Sequence, residues 1–354
     1  MKIWKQNWEE TKQHYIDWWH GKGLVISMWE HIEKEGEPYE NIDNPGNPID
    51  LNQFWFDPEW RSSYIHYKLS RSCFKADILP IANTQLGPGS LSAILGGELE
   101  GREDTIWIKP SINPPNDIIF NKENKWWKLH IDLLKSCKEK SHEHYFVGCP
   151  DLCEGLDVLC GIYGIEQIML EMLMNPDNLS EKLQKVNNIY FEVFEEIYNI
   201  IQINGEMAYC YFSLWAPGKV TKLQCDISVM ISEEDFKKFA IPYLNEQCQK
   251  IEYTLYHLDG IDAIRHLDAI LEIEELKAIQ WTPGEGQPQG GNKCWYDLYK
   301  KIKKSGKSIM SCWVELNELE QLIDNIGPEG LHILMNFKTE KDIDKALKIV
   351  EKFR

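Results

Sequence analysis

The sequence predicts an α/β protein, a (β/α)8 TIM barrel preceded by a helical extension, and three observations carry that expectation. Short apolar runs recur along the chain, amphipathic helical patterns fill most of the intervals between them, and no glycine-rich phosphate loop of the GxGxxG or GxxxxGK[ST] kind accompanies them. Strands separated by helices pair in parallel, because a parallel neighbour needs a crossover. An open doubly wound sheet would carry a ligand loop near its start, so the closed barrel is preferred.

Residues 1–75 read as a Trp-rich, mostly helical and loop extension, with one strand at 24–29 and a loop over 41–52 that contains two Pro. The barrel then occupies residues 76–354, with the extension packed on it. Strands are expected at 77–82, 145–149, 207–212, 253–257, 276–281, 308–314 and 331–337, which with 24–29 makes about eight. Residues 221–227 read as a further strand, which would turn 207–226 into a hairpin-like insertion. Helical periodicity covers 167–174, then 179–203 after Asn175-Pro176-Asp177, and later 233–251, 295–304, 316–325 and 342–353. Ser232 opens the helix at 233 as its N-cap, with Asp235 at the third helical position. No repeat of fixed period and no low-complexity stretch interrupts this order.

Composition excludes several partners. The 354 residues carry a net charge of −18, which opposes association with nucleic acid or an anionic membrane surface. No apolar run approaches the roughly 18–20 residues of a membrane span, and the first residues lack a signal-type apolar core. A cytoplasmic location is therefore expected. The ten Cys form no CxxC pair and fall mostly in apolar runs, as buried reduced thiols do. Fourteen Trp and 15 Tyr supply enough aromatic surface to wall a small-molecule pocket.

In a barrel, polar residues just after each strand face the catalytic mouth. By that rule the candidates are Asn83 and Gln85 in ANTQLGPG, Asp151 and Asp157 in CPDLCEGLD, Asp226 in QCD, and His257 and Asp259 in YHLDG. Gln280, Trp281 and Glu285 in IQWTPGEGQP and Cys312 in SCW complete the set, and Trp215 joins Trp281 as an aromatic lining candidate. His257 and Asp259 stand two apart on a strand end, so both side chains leave the same face. That geometry serves either a metal-ligand pair, with Cys312 as a third, thiolate ligand, or a His–carboxylate acid–base pair. Arg265, His266 and Asp268 follow on the next segment.

The stretch ISEEDFKKFAIPYLNEQCQKI, the YHLDG segment, KKIKKSGKSIMSCWVE and Gly327-Pro328-Glu329-Gly330 together resemble the uroporphyrinogen decarboxylase superfamily, over residues 140–350. More narrowly, ANTQLGPGSLSAILGG, YHLDGIDAIRHLD and IQWTPGEGQP resemble a methyltransferase-like branch often labelled trimethylamine-corrinoid-protein-like. The resemblance implies a single barrel with an N-terminal helical extension and one of two chemistries. Decarboxylases of the superfamily hold the carboxylates of a porphyrinogen with N-terminal arginines, whereas here the first Arg is Arg61. Methyltransferases of the superfamily hold zinc through His-x-Cys on the strand corresponding to YHLDG and through a distant Cys. Two departures follow: Asp259 stands at the Cys of His-x-Cys, and residues 331–342 contain no Cys, Cys312 lying one strand earlier.

The expected function is thus a methyltransferase-like enzyme moving a methyl group between a small methylated substrate or thiol and a separate corrinoid protein, since the chain has no DxHxxG-type cobalamin module. His257, Asp259 and Asp226 would be catalytic. Asn83, Gln85, Asp151, Trp215, Gln280 and Trp281 would bind substrate. Zinc on His257, Asp259 and Cys312, or a metal-free acid–base site, are both consistent with the motif, as are a monomer and a homodimer. The alternatives are a decarboxylase or lyase acting on a small carboxylated substrate other than porphyrinogen, and a non-catalytic barrel that binds a small ligand.

Overall fold

A computed structural model describes residues 3–354 of the chain. Its strands are β1 (Leu24–Ser27), β2 (Ile81–Ala82), β3 (Glu98–Gly101), β4 (Ile106–Lys109), β5 (Phe146–Cys149), β6 (Met207–Tyr209), β7 (Leu214–Ala216), β8 (Val220–Leu223), β9 (Tyr253–Asp259), β10 (Ala278–Thr282), β11 (Ser308–Val314) and β12 (Leu331–Met335). They form a six-stranded sheet in the order β1-β12-β11-β10-β9-β8, a four-stranded sheet β2-β5-β6-β7, and the hairpin β3-β4. Every pairing in the six-stranded sheet is parallel. In the four-stranded sheet only β6 and β7 run antiparallel. The protein is a mixed α/β fold with a mostly parallel sheet, and strand pairing does not close it into a ring.

The difference from the expected barrel lies in three shortened strands. The run at 77–82 pairs only at Ile81–Ala82, and Asp77 at its start is a buried anchor. The run at 207–212 stops at Tyr209, and a tight turn over Tyr211–Ser213, with Phe212 and Ser213 in the left-handed region, folds it back as β7. The segment 221–227 ends at Leu223, and Asp226 instead opens a short 3-10 turn, Asp226–Met230.

Local chemistry sets the helix boundaries. Asn124 caps Lys125–Ser141 by accepting from the Trp126 and Trp127 N–H groups at 2.7 and 3.2 Å. Ser232 accepts from Asp235 N–H at 3.1 Å, as its sequence position predicts. The pattern over 233–251 divides at Ala240 into Glu233–Phe239 and Ile241–Lys250, the second with a Pro in its first turn. A proline there costs no helix bond, since the first turn's N–H groups have no partner in the helix.

The N-terminal helix Trp8–Trp19 turns Tyr15, Trp18 and Trp19 into the same core as the strands, and β1 pairs with β12. Asp77 ties these parts together. Wholly buried, it accepts from Ile26 N–H at 2.9 Å, His14 Nδ1 at 2.7 Å and Arg354 at 2.5 Å. Burial alone would raise its pKa, but His14, Arg354 and the Ile26 N–H outweigh burial and hold it down to about 2. Among the described residues no helix is long and apolar enough to cross a membrane.

Candidate functional site

The end of β9 carries the site. Its residues alternate, so Leu258 is buried while His257 and Asp259 face a partly open side together. Parallel register then places Gln280 of β10 beside His257, and Thr282 beside Asp259. Gln280, wholly buried, donates its amide nitrogen to Thr282 Oγ1 at 2.9 Å and to Cys312 Sγ at 3.0 Å. Its Oε1 is left to accept from His257 Nδ1. His257 Nε2 therefore bears the lone pair and looks outward, 3.7 Å from Asp259 Oδ2. That gap is too long for a hydrogen bond.

Asp226 completes the cluster. Donor atoms of Asp226, His257 and Asp259 lie within 4.8 Å of one another. Asp226 is exposed at one edge yet largely walled by protein, and this desolvation raises its pKa. His257 and Lys222 oppose that rise, and the charges of Asp259 and Asp151 reinforce it. Asp157 fixes the Asp226 backbone, accepting from Asp226 N–H at 2.8 Å and Ile227 N–H at 3.1 Å. Burial, with the Asp226 charge added, pushes Asp157 up to about 7.

Behind Asp226 runs a buried polar chain that strand-end reasoning missed, because Lys222 sits within β8 rather than after it. Lys222 is 0% exposed at its side chain and pairs with Asp151 at 2.5 Å. Tyr209 donates to the other Asp151 oxygen at 2.8 Å. Lys222 also donates to Gln224 Oε1, whose amide nitrogen donates to Asp226 Oδ2 at 2.9 Å. Burial would lower the Lys222 pKa, yet the Asp151 carboxylate raises it above the ordinary lysine value, so the ammonium stays charged. A lysine inside an otherwise apolar strand, VTKLQCD, was the available signal.

The structure thus joins Asp151, Asp226, His257, Asp259 and Gln280 in one network. Cys312 lies one side chain further back, behind Gln280, outside the group whose donors converge. Burial pushes its thiol far up, which keeps it neutral. Trp281 alternates away from Gln280 and packs against Trp295 with ring centres 5.1 Å apart. Trp215 is buried between Trp8 and Tyr15 and accepts from Trp19 Nε1 at its carbonyl, 2.9 Å away. Both tryptophans are core rather than lining, since a fully buried ring has no face left for substrate. Arg265 and His266 bond the Ser228 carbonyl at 3.2 and 2.8 Å and so brace the Asp226–Met230 turn, while Asp268 pairs with Lys301 on the surface.

Asn83 and Gln85 line a different space, an aromatic cleft of about 680 Å³ beside Trp29, Trp55, Trp60 and Arg61. The Arg61 guanidinium, only 7% exposed, donates to the carbonyls of Trp55, Asn83 and Gln85 and has no carboxylate partner among the described residues. Burial lowers its pKa to about 10, which still leaves it charged at neutral pH. The cleft and the His257 cluster share a wall: Phe212 lies 4.8 Å from the Trp29 ring and 5.2 Å from the His257 ring, centre to centre.

A scan against protein-family models finds no match to this chain. A search of curated proteins finds no similar sequence.

Proposed function

We propose that this chain is a methyltransferase-like enzyme that moves a methyl group between a small methylated substrate or thiol and a separate corrinoid protein, with Asp226, His257 and Asp259 as its reacting site. The observation that carries the reading is the convergence of one imidazole and two carboxylates within 4.8 Å beside an aromatic cleft. We propose also that the two sheets are arcs of one (β/α)8-type barrel. The Asp77 N–H bonds the Ile26 carbonyl of β1 at 2.9 Å just ahead of β2, and β6 lies against β8. On that reading Asp226, His257 and Gln280 belong to neighbouring strands at one mouth.

The donor set fits a zinc ion. His257 Nε2 is free because Gln280 holds Nδ1, the usual outer support of a metal-bound histidine. The 3.7 Å between His257 Nε2 and Asp259 Oδ2 is close to the ~3.4 Å that two ligands of one tetrahedral cation keep, given ligand bonds of about 2.0–2.2 Å. Asp226, His257 and Asp259 would hold the ion, and Cys312 would not. Bound there, zinc would activate an acceptor thiol or polarise a leaving group. In the metal-free form of the site Asp226, kept protonated more readily than an open carboxyl by its walled position, can instead deliver a proton to the leaving group. Gln280 fixes the imidazole, and Lys222 through Gln224 orients Asp226.

A second reading is a decarboxylase or lyase acting on a small carboxylate other than porphyrinogen, and one observation supports it. Arg61 offers the aromatic cleft a buried guanidinium with no carboxylate of its own.

The visible spectrum of a corrinoid partner protein, reduced to Co(I) and mixed with candidate methylated substrates, tests the first reading. Methyl-Co(III) formation should slow by roughly 100-fold or more in His257→Ala and in Asp259→Ala. Equal rates in wild type and His257→Ala would remove the assigned role, and release of carbon dioxide from an added carboxylate without any corrinoid partner would favour the second reading.

A further inference from the structure

We infer that Glu154, Asp157 and Cys225 form a second cation site, a mixed carboxylate and thiolate pocket for a borderline divalent metal such as zinc, directly behind Asp226. Their donor atoms lie within 4.8 Å of one another. Glu154 and Cys225 are 1% and 3% exposed. Glu154 caps the helix Gly155–Tyr163 with one oxygen only: Oε1 accepts from Leu156 N–H at 2.9 Å and Asp157 N–H at 3.2 Å. The other oxygen, Oε2, is wholly buried and meets no N–H or O–H donor; the carboxyl group has only the weak S–H donor of Cys225 against it. A buried carboxyl oxygen left to a thiol alone is poorly satisfied, and a cation is the partner that a carboxylate, a second carboxylate and a thiol can share.

Charge points the same way. Asp151, Glu154, Asp157 and Asp226 crowd one region, and the lysine that acts on it, Lys222, is already bound to Asp151 and Gln224. Without a cation, burial keeps the Glu154 carboxyl and the Cys225 thiol in their neutral forms. Cation binding replaces those protons, which leave to solvent past half-buried Asp157 and the exposed edge of Asp226. Three protein donors leave a fourth position for water. Sulfur among the ligands selects zinc, cobalt or cadmium over magnesium or calcium, which take oxygen alone. Because Asp157 also holds the Asp226 and Ile227 N–H groups, a metal on Asp157 would stiffen the turn that presents Asp226.

The test uses the whole chain, stripped by a chelator and titrated with Co(II). Wild type should develop the near-ultraviolet charge-transfer band of a cobalt–thiolate bond, saturating by two equivalents because the Asp226–His257–Asp259 cluster competes for the ion, and by one equivalent in His257→Ala. The band should vanish in Cys225→Ser and survive in Cys312→Ser and in His257→Ala, which separates this site from the Asp226–His257–Asp259 cluster. Glu154→Gln, which retains a capping oxygen, should weaken the band-forming affinity by at least about tenfold, the lower range of loss seen even for outer-shell partners. Absence of a thiolate band in wild type, or its loss in Cys312→Ser with retention in Cys225→Ser, would overturn the assignment. Should Cys225→Ser fold poorly by circular dichroism, the wild-type band and the Glu154→Gln shift decide the question by themselves.

Discussion

Gln280 accepts a hydrogen bond from His257 Nδ1 across the β9–β10 pair, and this single contact decides which imidazole nitrogen is left with its lone pair facing Asp259. The register does the selecting, since His257 and Gln280 are direct parallel neighbours. Gln280 cannot reverse its amide without facing its oxygen to Cys312 and Thr282 and two N–H groups to the imidazole. It follows that Gln280→Leu should cost turnover at least about tenfold while leaving the fold intact, as losing an outer support of a reacting histidine does. Nitrogen-15 imidazole shifts would report the mechanism directly. Wild type should show a single Nδ1–H tautomer and the variant a mixture; a single unchanged tautomer in the variant would show that Gln280 is not what orients the ring.

The Asp151–Lys222 pair has no solvent to screen it. Truncating one partner leaves the other as an unpaired buried charge, so Lys222→Met should destabilise the protein by about 3–5 kcal/mol in urea titrations. Adding Asp151→Asn to Lys222→Met should recover a large part of that loss. If the double variant is no more stable than the single one, the cost arises from packing rather than from the stranded carboxylate.

Asp77 makes a prediction for acid. Its pKa is lowered on folding from the ordinary 3.8 to about 2, so its stabilisation is present in full above the unfolded value and fades as pH falls from near 4 through 2. That difference corresponds to about 2 kcal/mol. Asp77→Asn, which cannot ionise, should lower stability at neutral pH and flatten the stability curve between pH 4 and 2. A variant as steeply acid-labile as wild type would move the acid transition to other carboxylates.

Strand periodicity made the parallel sheet and most helices legible, because burial of alternate or every third to fourth residue leaves its mark directly in sequence. Closure was not legible, since an apolar run such as DILPIA looks the same whether two residues or six of it pair. At the site, the rule that polar residues follow strands found Asp226, His257, Asp259 and Gln280 by position. It failed for Trp215 and Trp281, since an aromatic ring gives no hint from sequence whether it lines a cleft or fills a core. It also failed for Lys222, whose partner Asp151 is 71 residues away and unknowable before the fold is known.

The position of Asp259 sets up the last prediction. A carboxylate occupies the place where a His-x-Cys motif would carry a thiolate, and its oxygen stands 3.7 Å from His257 Nε2, with Asp226 nearby. Thiolate is the softer and stronger zinc ligand, so Asp259→Cys should tighten zinc binding at this cluster by about tenfold, or ~1.4 kcal/mol. Two effects oppose it: a Cys side chain is shorter than Asp, and its thiol must lose a proton that the carboxylate has already lost. The second weakens with rising pH, so the gain over wild type should grow between pH 6 and 9, a trend that improved packing could not produce. Competition titration with a chromogenic chelator measures both quantities. Cys312→Ser should leave wild-type affinity unchanged at every pH, because Cys312 meets Gln280 and not the converging donors. Zinc affinity that drops in Cys312→Ser and is indifferent to Asp259→Cys would place the ion against β11 instead, and Asp226, His257 and Asp259 would lose their role as its ligands.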